Sequence, residues 1–192
     1  MLKTTVQNVE ISFSIGFPAV VALLCCFDNT GSAALCLYAA LLHEAAHIAV
    51  SCVCGFLPRS LCFGAFGMRM ELPPMPYKTT ALVALSGPLC NLMFAGLSAL
   101  VGAEKGILVH LALGGFNLLP LPPLDGGQTL FCVLAPKIGE SAAQRWLTVT
   151  ALLAGIPLFA AAWWAFFVTG YNATLLLLCG YLLFLVFFKK KD

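Results

Sequence analysis

Strict alternation of apolar and polar positions is clearest over residues 9–15. Val9, Ile11, Phe13 and Ile15 are apolar while Glu10, Ser12 and Ser14 are polar, a period of two that predicts a short strand. Most of the remaining chain consists of apolar runs, at about residues 16–27, 32–54, 79–101, 107–134, 147–168 and 173–188. Runs of this length predict membrane-spanning helices. Asp28-Asn29-Thr30-Gly31 marks a turn before the second run, and Gly55 and Pro58 end it.

Two places depart from simple runs. Residues 57–78 hold Arg59, Gly64, Gly67, Arg69, Glu71 and a Pro-rich stretch, too apolar for an ordinary loop and too broken for a helix. They predict a re-entrant or interfacial hairpin, with short strands between Leu61 and Met70, that pairs with the N-terminal strand. The fourth run is interrupted at 117–127 by Asn117-Leu118-Leu119-Pro120-Leu121-Pro122-Pro123-Leu124-Asp125-Gly126-Gly127. Three prolines end a helix there, and a second helix resumes after the glycines. The expected fold is therefore all-α and polytopic: six transmembrane helices, a small N-terminal strand and a β-hairpin, in a single domain over residues 1–192.

Composition agrees: 61% of the 192 residues are hydrophobic and 9% charged, which no soluble domain of this size matches. A net charge of +2 gives no nucleic-acid footprint. Nine scattered cysteines form no disulfide framework, and Cys52-x-Cys54 reads as small apolar packing. The N-terminus lacks the long apolar core and cleavage site of a signal peptide. With both termini cytoplasmic, nine of the ten Lys and Arg residues fall on the inner side, which predicts that topology in the cell membrane.

Chemistry concentrates in the second run, at His43-Glu44-Ala45-Ala46-His47. On a helix, His43 and His47 leave one face and can share a metal ion; neutral imidazole suits Zn2+. Glu44 is too close to be a third ligand and is placed to accept a proton from water held by the metal. Asp125 is the other acidic residue inside an apolar run, and as a third ligand it leaves the fourth zinc position open, the layout of a catalytic site. The unwound stretch around Pro120 offers backbone groups to an extended substrate, and the Asn117 carboxamide could bind a substrate carbonyl. Packing between helices is the competing reading of Asn117. Asn91 reads as a link between helices, His110 as interfacial or packing rather than a ligand, and Trp146, Trp163 and Trp164 as interface anchors.

The pairing of His43-Glu44-x-x-His47 with Asn117-x-x-Pro120-x-Pro122-x-Leu124-Asp125-Gly126 resembles the site-2 protease family of intramembrane zinc metalloproteases, and the spacing resembles its stage IV sporulation protein FB branch. Ser86-Gly87-Pro88-x-x-Asn91 matches a pattern of the same family. The resemblance implies His43, His47 and Asp125 as zinc ligands, Glu44 as catalytic base, and Asn117 with Pro120 as substrate contacts. It implies regulated intramembrane proteolysis of a membrane-tethered protein, a pro-sigma or other transcription factor among the candidates. Membrane proteins that regulate cleavage are a further partner class it implies. Neither the nucleotide-sensing domain of the sporulation branch nor a PDZ insertion is expected in this sequence, so the sporulation role does not follow. Two other classes compete: a metal-ion transporter, and a non-catalytic metal-binding membrane protein. Neither needs Glu44 beside His43.

Overall fold

On the helices between residues 32 and 117 the buried side chains are mostly small or polar, and many of the large apolar ones are exposed. The computed structural model describes residues 2–6, 9–16, 18–19, 22, 26, 28, 31–64, 67–169 and 173–188. Two units divide the chain, residues 1–115 and 116–192.

The first unit begins with a four-stranded sheet in the order β1 (Leu2–Val6), β2 (Val9–Phe13), β3 (Ser60–Gly64), β4 (Gly67–Glu71). β1 and β2 form an antiparallel pair, β2 and β3 a parallel one, and β3 and β4 the hairpin. Phe13 is opposite Phe63 in the parallel pair, and their rings stack at 4.8 Å. β2 is therefore an internal strand, and the free edges belong to β1, which the alternation did not signal, and β4. Ser12, on the polar side of β2, is buried, whereas Phe13 is 39% exposed.

Helix α1 (Ser32–Val53) starts beyond Asp28, whose carboxylate accepts from the Ala33 amide at 2.7 Å. It ends at Gly55, whose positive φ of 84° lets the Gly55 and Phe56 amides turn back to the Cys52 and Ser51 carbonyls. Its buried residues are Ala39, His43, His47 and Ser51, one every four. Helix α2 (Tyr77–Leu100) packs against it through a stripe of mostly small residues, Ala81, Ala84, Gly87, Pro88, Asn91 and Ala95. Leu41, Val53, Leu82, Leu89, Met93 and Leu97 point outward and are exposed. Helix α3 (Glu104–Asn117) buries Gly106, His110 and Gly114, again every four residues. Without side chains at its two buried glycines, α3 comes close to α2: a Cβ on Gly114 would lie 3.1 Å from the Asn91 Cβ and the Pro88 carbonyl.

In the second unit the backbone turns through residues 118–124 into α4 (Asp125–Ile138), followed by α5 (Glu140–Thr169) and α6 (Ala173–Phe188). α4 packs on α5 and α5 on α6. Leu121, fully buried, joins Ala151, Leu182 and Val186 in the core. Trp146, Trp163 and Trp164 are 50–70% exposed, as side chains at a lipid interface would be.

Three of the described helices, Ser32–Val53, Tyr77–Leu100 and Glu140–Thr169, contain stretches long and apolar enough to cross a membrane. The first expected span, 16–27, lies largely outside the described residues. The fourth is two 14-residue helices, each about 21 Å long at 1.5 Å per residue, short of the roughly 30 Å hydrocarbon core. The fifth starts earlier than its apolar run, at Glu140, because Gly139 separates it from α4.

Candidate metal centre

His43 and His47 sit one turn apart on the buried face of α1, with their Nε2 atoms 3.1 Å from each other. Two zinc–nitrogen bonds of about 2.0–2.1 Å at tetrahedral angles would set such nitrogens roughly 3.3 Å apart. The rings are nearly perpendicular, at 82°, so that only their Nε2 edges converge.

Each ring is held from behind. The His47 Nδ1–H donates to the Val83 carbonyl at 2.7 Å, which places the ring proton on Nδ1 and the lone pair on Nε2. The Ser86 hydroxyl donates to the same carbonyl at 2.6 Å and lies 3.3 Å from His47 Nδ1. His43 Nδ1 lies 2.9 Å from the Asn91 carboxamide nitrogen, and the Asn91 carboxamide oxygen lies 3.1 Å from His110 Nδ1. His43, Asn91 and His110 are all buried.

The space in front of the two Nε2 atoms is kept by Gly87. A Cβ at that position would collide with His47 Nε2 and would come within 2.7 Å of His43 Nε2. Two imidazoles with convergent nitrogens, that of His47 in a defined tautomer, and a cradle that one methyl group would fill make a site fitted to a metal. Imidazole donors on a rigid helix face suit zinc.

Glu44 is half-buried on α1, one residue round from His43. In the second unit, Asp125 opens α4 and is half-buried. The turn before it depends on Gly126 and Gly127: a Cβ on Gly126 would lie 2.7 Å from the Leu119 carbonyl oxygen, and one on Gly127 3.0 Å from the Pro122 nitrogen. Asn117 is the last residue of α3 and Pro120 lies in the turn, both half-buried.

One expectation changes here. The amides of Leu119, Leu121 and Leu124 donate within the turn, to Phe116, Leu119 and Leu121. Pro120, Pro122 and Pro123 have no N–H. The segment is therefore a turn rather than an open strand, and it does not offer the row of amide donors that strand addition needs. Of the two places expected for His110, an interface or packing, the structure shows packing: it is 2% exposed, stacked on Phe94 and hydrogen-bonded to Asn91. Asn91 does link helices, and it does so through the back of His43. The contribution of Gly87 was not evident from its type; its signal is a glycine beside Pro88 on the small-residue stripe of α2.

Comparison with known proteins agrees with this geometry. No family profile matches the chain. A protein named zinc metalloprotease Rip3, from Mycobacterium tuberculosis, is 32% identical over 143 residues, 66% of this chain and 36% of its own length. Zinc metalloprotease MJ0392 of Methanocaldococcus jannaschii is 27% identical over 110 residues, 51% of this chain and 32% of its own. The chain thus spans about a third of the length of these relatives. Among solved structures, a site-2 protease from Methanocaldococcus jannaschii superposes with a TM-score of 0.62 at 19% identity, covering 100% of this chain and 95% of that one. The cofactor that the histidine site and these relatives share is zinc. The chain is thus similar in local sequence to zinc metalloproteases, and it has the fold of a solved site-2 protease.

Proposed function

We propose that the chain is an intramembrane zinc metalloprotease that hydrolyses a peptide bond within or next to a transmembrane segment of a membrane-tethered protein. The observation that carries this reading is the convergence of His43 and His47 Nε2, 3.1 Å apart, in the space left by Gly87. By the sequence pattern Asp125 is the third ligand, and a donor set of two imidazoles and one carboxylate is that of a catalytic rather than a structural zinc site.

Bound zinc supplies a Lewis acid that polarises the scissile carbonyl and makes water nucleophilic near neutral pH. Glu44 takes the proton from the attacking water and returns it to the leaving amine. The Asn117 carboxamide donates to the carbonyl oxygen as negative charge builds on it. Pro120 contacts the substrate chain beside the scissile bond.

Three apolar helices and the site-2 protease fold support membrane association. The fuller topology, six spans in the cell membrane with both termini cytoplasmic, rests on the apolar runs and on the one-sided distribution of Lys and Arg. Release of a transcription factor by regulated proteolysis, and the sporulation branch, rest on the sequence resemblance.

The test is Glu44→Gln, which keeps volume and polarity and removes the base. Zinc content, by elemental analysis, stays at one equivalent, and cleavage of a membrane-tethered reporter falls by about 10²–10⁴. A transporter needs no base, so zinc retained with cleavage unchanged, or a wild-type protein that moves zinc and cleaves nothing, would refute the protease reading.

A further inference from the structure

His110 belongs to no part of the mechanism above, yet it is 2% exposed within α3 and joined to a ligand histidine by one intervening side chain. Its Nδ1 is 3.1 Å from the Asn91 oxygen, the Asn91 nitrogen is 2.9 Å from His43 Nδ1, and its ring stacks on Phe94 at 5.5 Å. Asn91 is wholly buried. A hydrogen-bonded row of three buried polar side chains from three successive helices is costly to assemble among apolar residues unless every member is satisfied.

The proton positions along that row are set by what His43 must do. A histidine that ligates zinc through Nε2 carries its proton on Nδ1 and donates it to a neighbour. Asn91 must then present its carboxamide oxygen to His43 and its NH2 to His110. The two ends of a carboxamide have the same shape, and distances of 2.9 and 3.1 Å suit either orientation. Which one prevails depends on what lies behind Asn91. An apolar residue would leave the NH2 without an acceptor. His110 in the tautomer protonated at Nε2 offers Nδ1 as that acceptor.

We propose that His110 is a positioning residue for the zinc site: through Asn91 it selects the carboxamide orientation that fixes His43 in its metal-binding tautomer. The proposal rests on His43 being a zinc ligand and adds a device that sets the tautomer of that ligand, as the Val83 carbonyl sets that of His47.

Two measurements on the full chain in detergent or nanodiscs test it. In the zinc-loaded, 15N-histidine-labelled wild type, NMR should find the His110 proton on Nε2 and its Nδ1 accepting a hydrogen bond. A zinc-loaded protein with the His110 proton on Nδ1 overturns the proposal, and this measurement does not depend on any variant folding. In the second, zinc affinity is measured by competition with a chromophoric chelator. His110→Phe keeps an aromatic ring for Phe94 and should bind zinc about 10–100-fold more weakly. His110→Gln, whose carboxamide oxygen can accept from Asn91, should recover much of the loss. Asn91→Ala should lose affinity similarly, and adding His110→Phe to it should cost nothing more, since both act on one route. Unchanged affinity in folded His110→Phe, or losses that simply add in the double variant, overturns the proposal. Failure of the underlying reading is distinguishable, because His43→Ala would then keep a full equivalent of zinc.

Discussion

Gly87→Ala should separate folding from metal binding. The new Cβ would collide with His47 Nε2 and lie 2.7 Å from both His43 Nε2 and His47 Cε1, where ordinary contact begins at 3.4 Å. The rings must therefore give way by about 0.7 Å, since the helix backbone that carries the methyl group is the stiffer partner. His47 cannot do so and keep its 2.7 Å bond to Val83, because a retreat of that size takes it beyond the roughly 3.2 Å limit of a good N–H···O bond. Zinc ligation tolerates about 0.2 Å in ligand distance, so both Nε2 atoms leave the tolerated range. Stability is pulled both ways. Alanine in place of glycine inside a helix contributes about 1 kcal/mol, and one lost buried hydrogen bond costs about 1 kcal/mol. The expected result is a folded protein whose Tm without added zinc is within a few degrees of wild type, whose zinc affinity by chelator competition is at least ~10-fold weaker, and whose reporter cleavage is lost at limiting zinc. Wild-type zinc affinity in this variant would mean that the Gly87 space is not where the metal sits.

Asp125→Asn should lose most of its bound zinc and all detectable cleavage, because an amide oxygen is a far poorer zinc ligand than a carboxylate; a full equivalent of zinc in the purified variant would remove Asp125 from the ligand set. Met70→Pro should raise KM or abolish cleavage without unfolding the protein, if the free edge of β4 receives substrate: Arg69 and Glu71 face β3 in the ladder, so Met70 directs its N–H outward. Normal kinetics in that variant and in Met68→Pro would end the edge-binding idea. Single cysteines placed beside Asp125, in a background with the nine native cysteines replaced, should be labelled by an impermeant reagent from the cytoplasmic side; labelling only from outside would invert the topology.

The sequence by itself determined the elements and most of the chemistry. Apolar runs gave α1, α2 and α6 nearly in full and the greater part of α5, since a bilayer demands length and hydrophobicity and both are local properties. Three prolines and two glycines announced the break before Asp125 for the same reason. The four-residue spacing of His43 and His47 was enough to put both on one face, because helical geometry is the same wherever the helix sits. What the tertiary structure alone decided depends on partners distant in the chain. β1 was not visible as a strand until β2 was found paired on both sides. The leucine amides at 119, 121 and 124 could be judged open or bonded only from the path of the turn. Gly87 and His110 carry little in their own types; one acquires its meaning from the ring edges of α1 and the other from Asn91 on α2. Side-chain periodicity states which face of a helix turns inward, but the residue it meets there is set by packing against a helix tens of residues away, and that was the part the chain could not state in its own order.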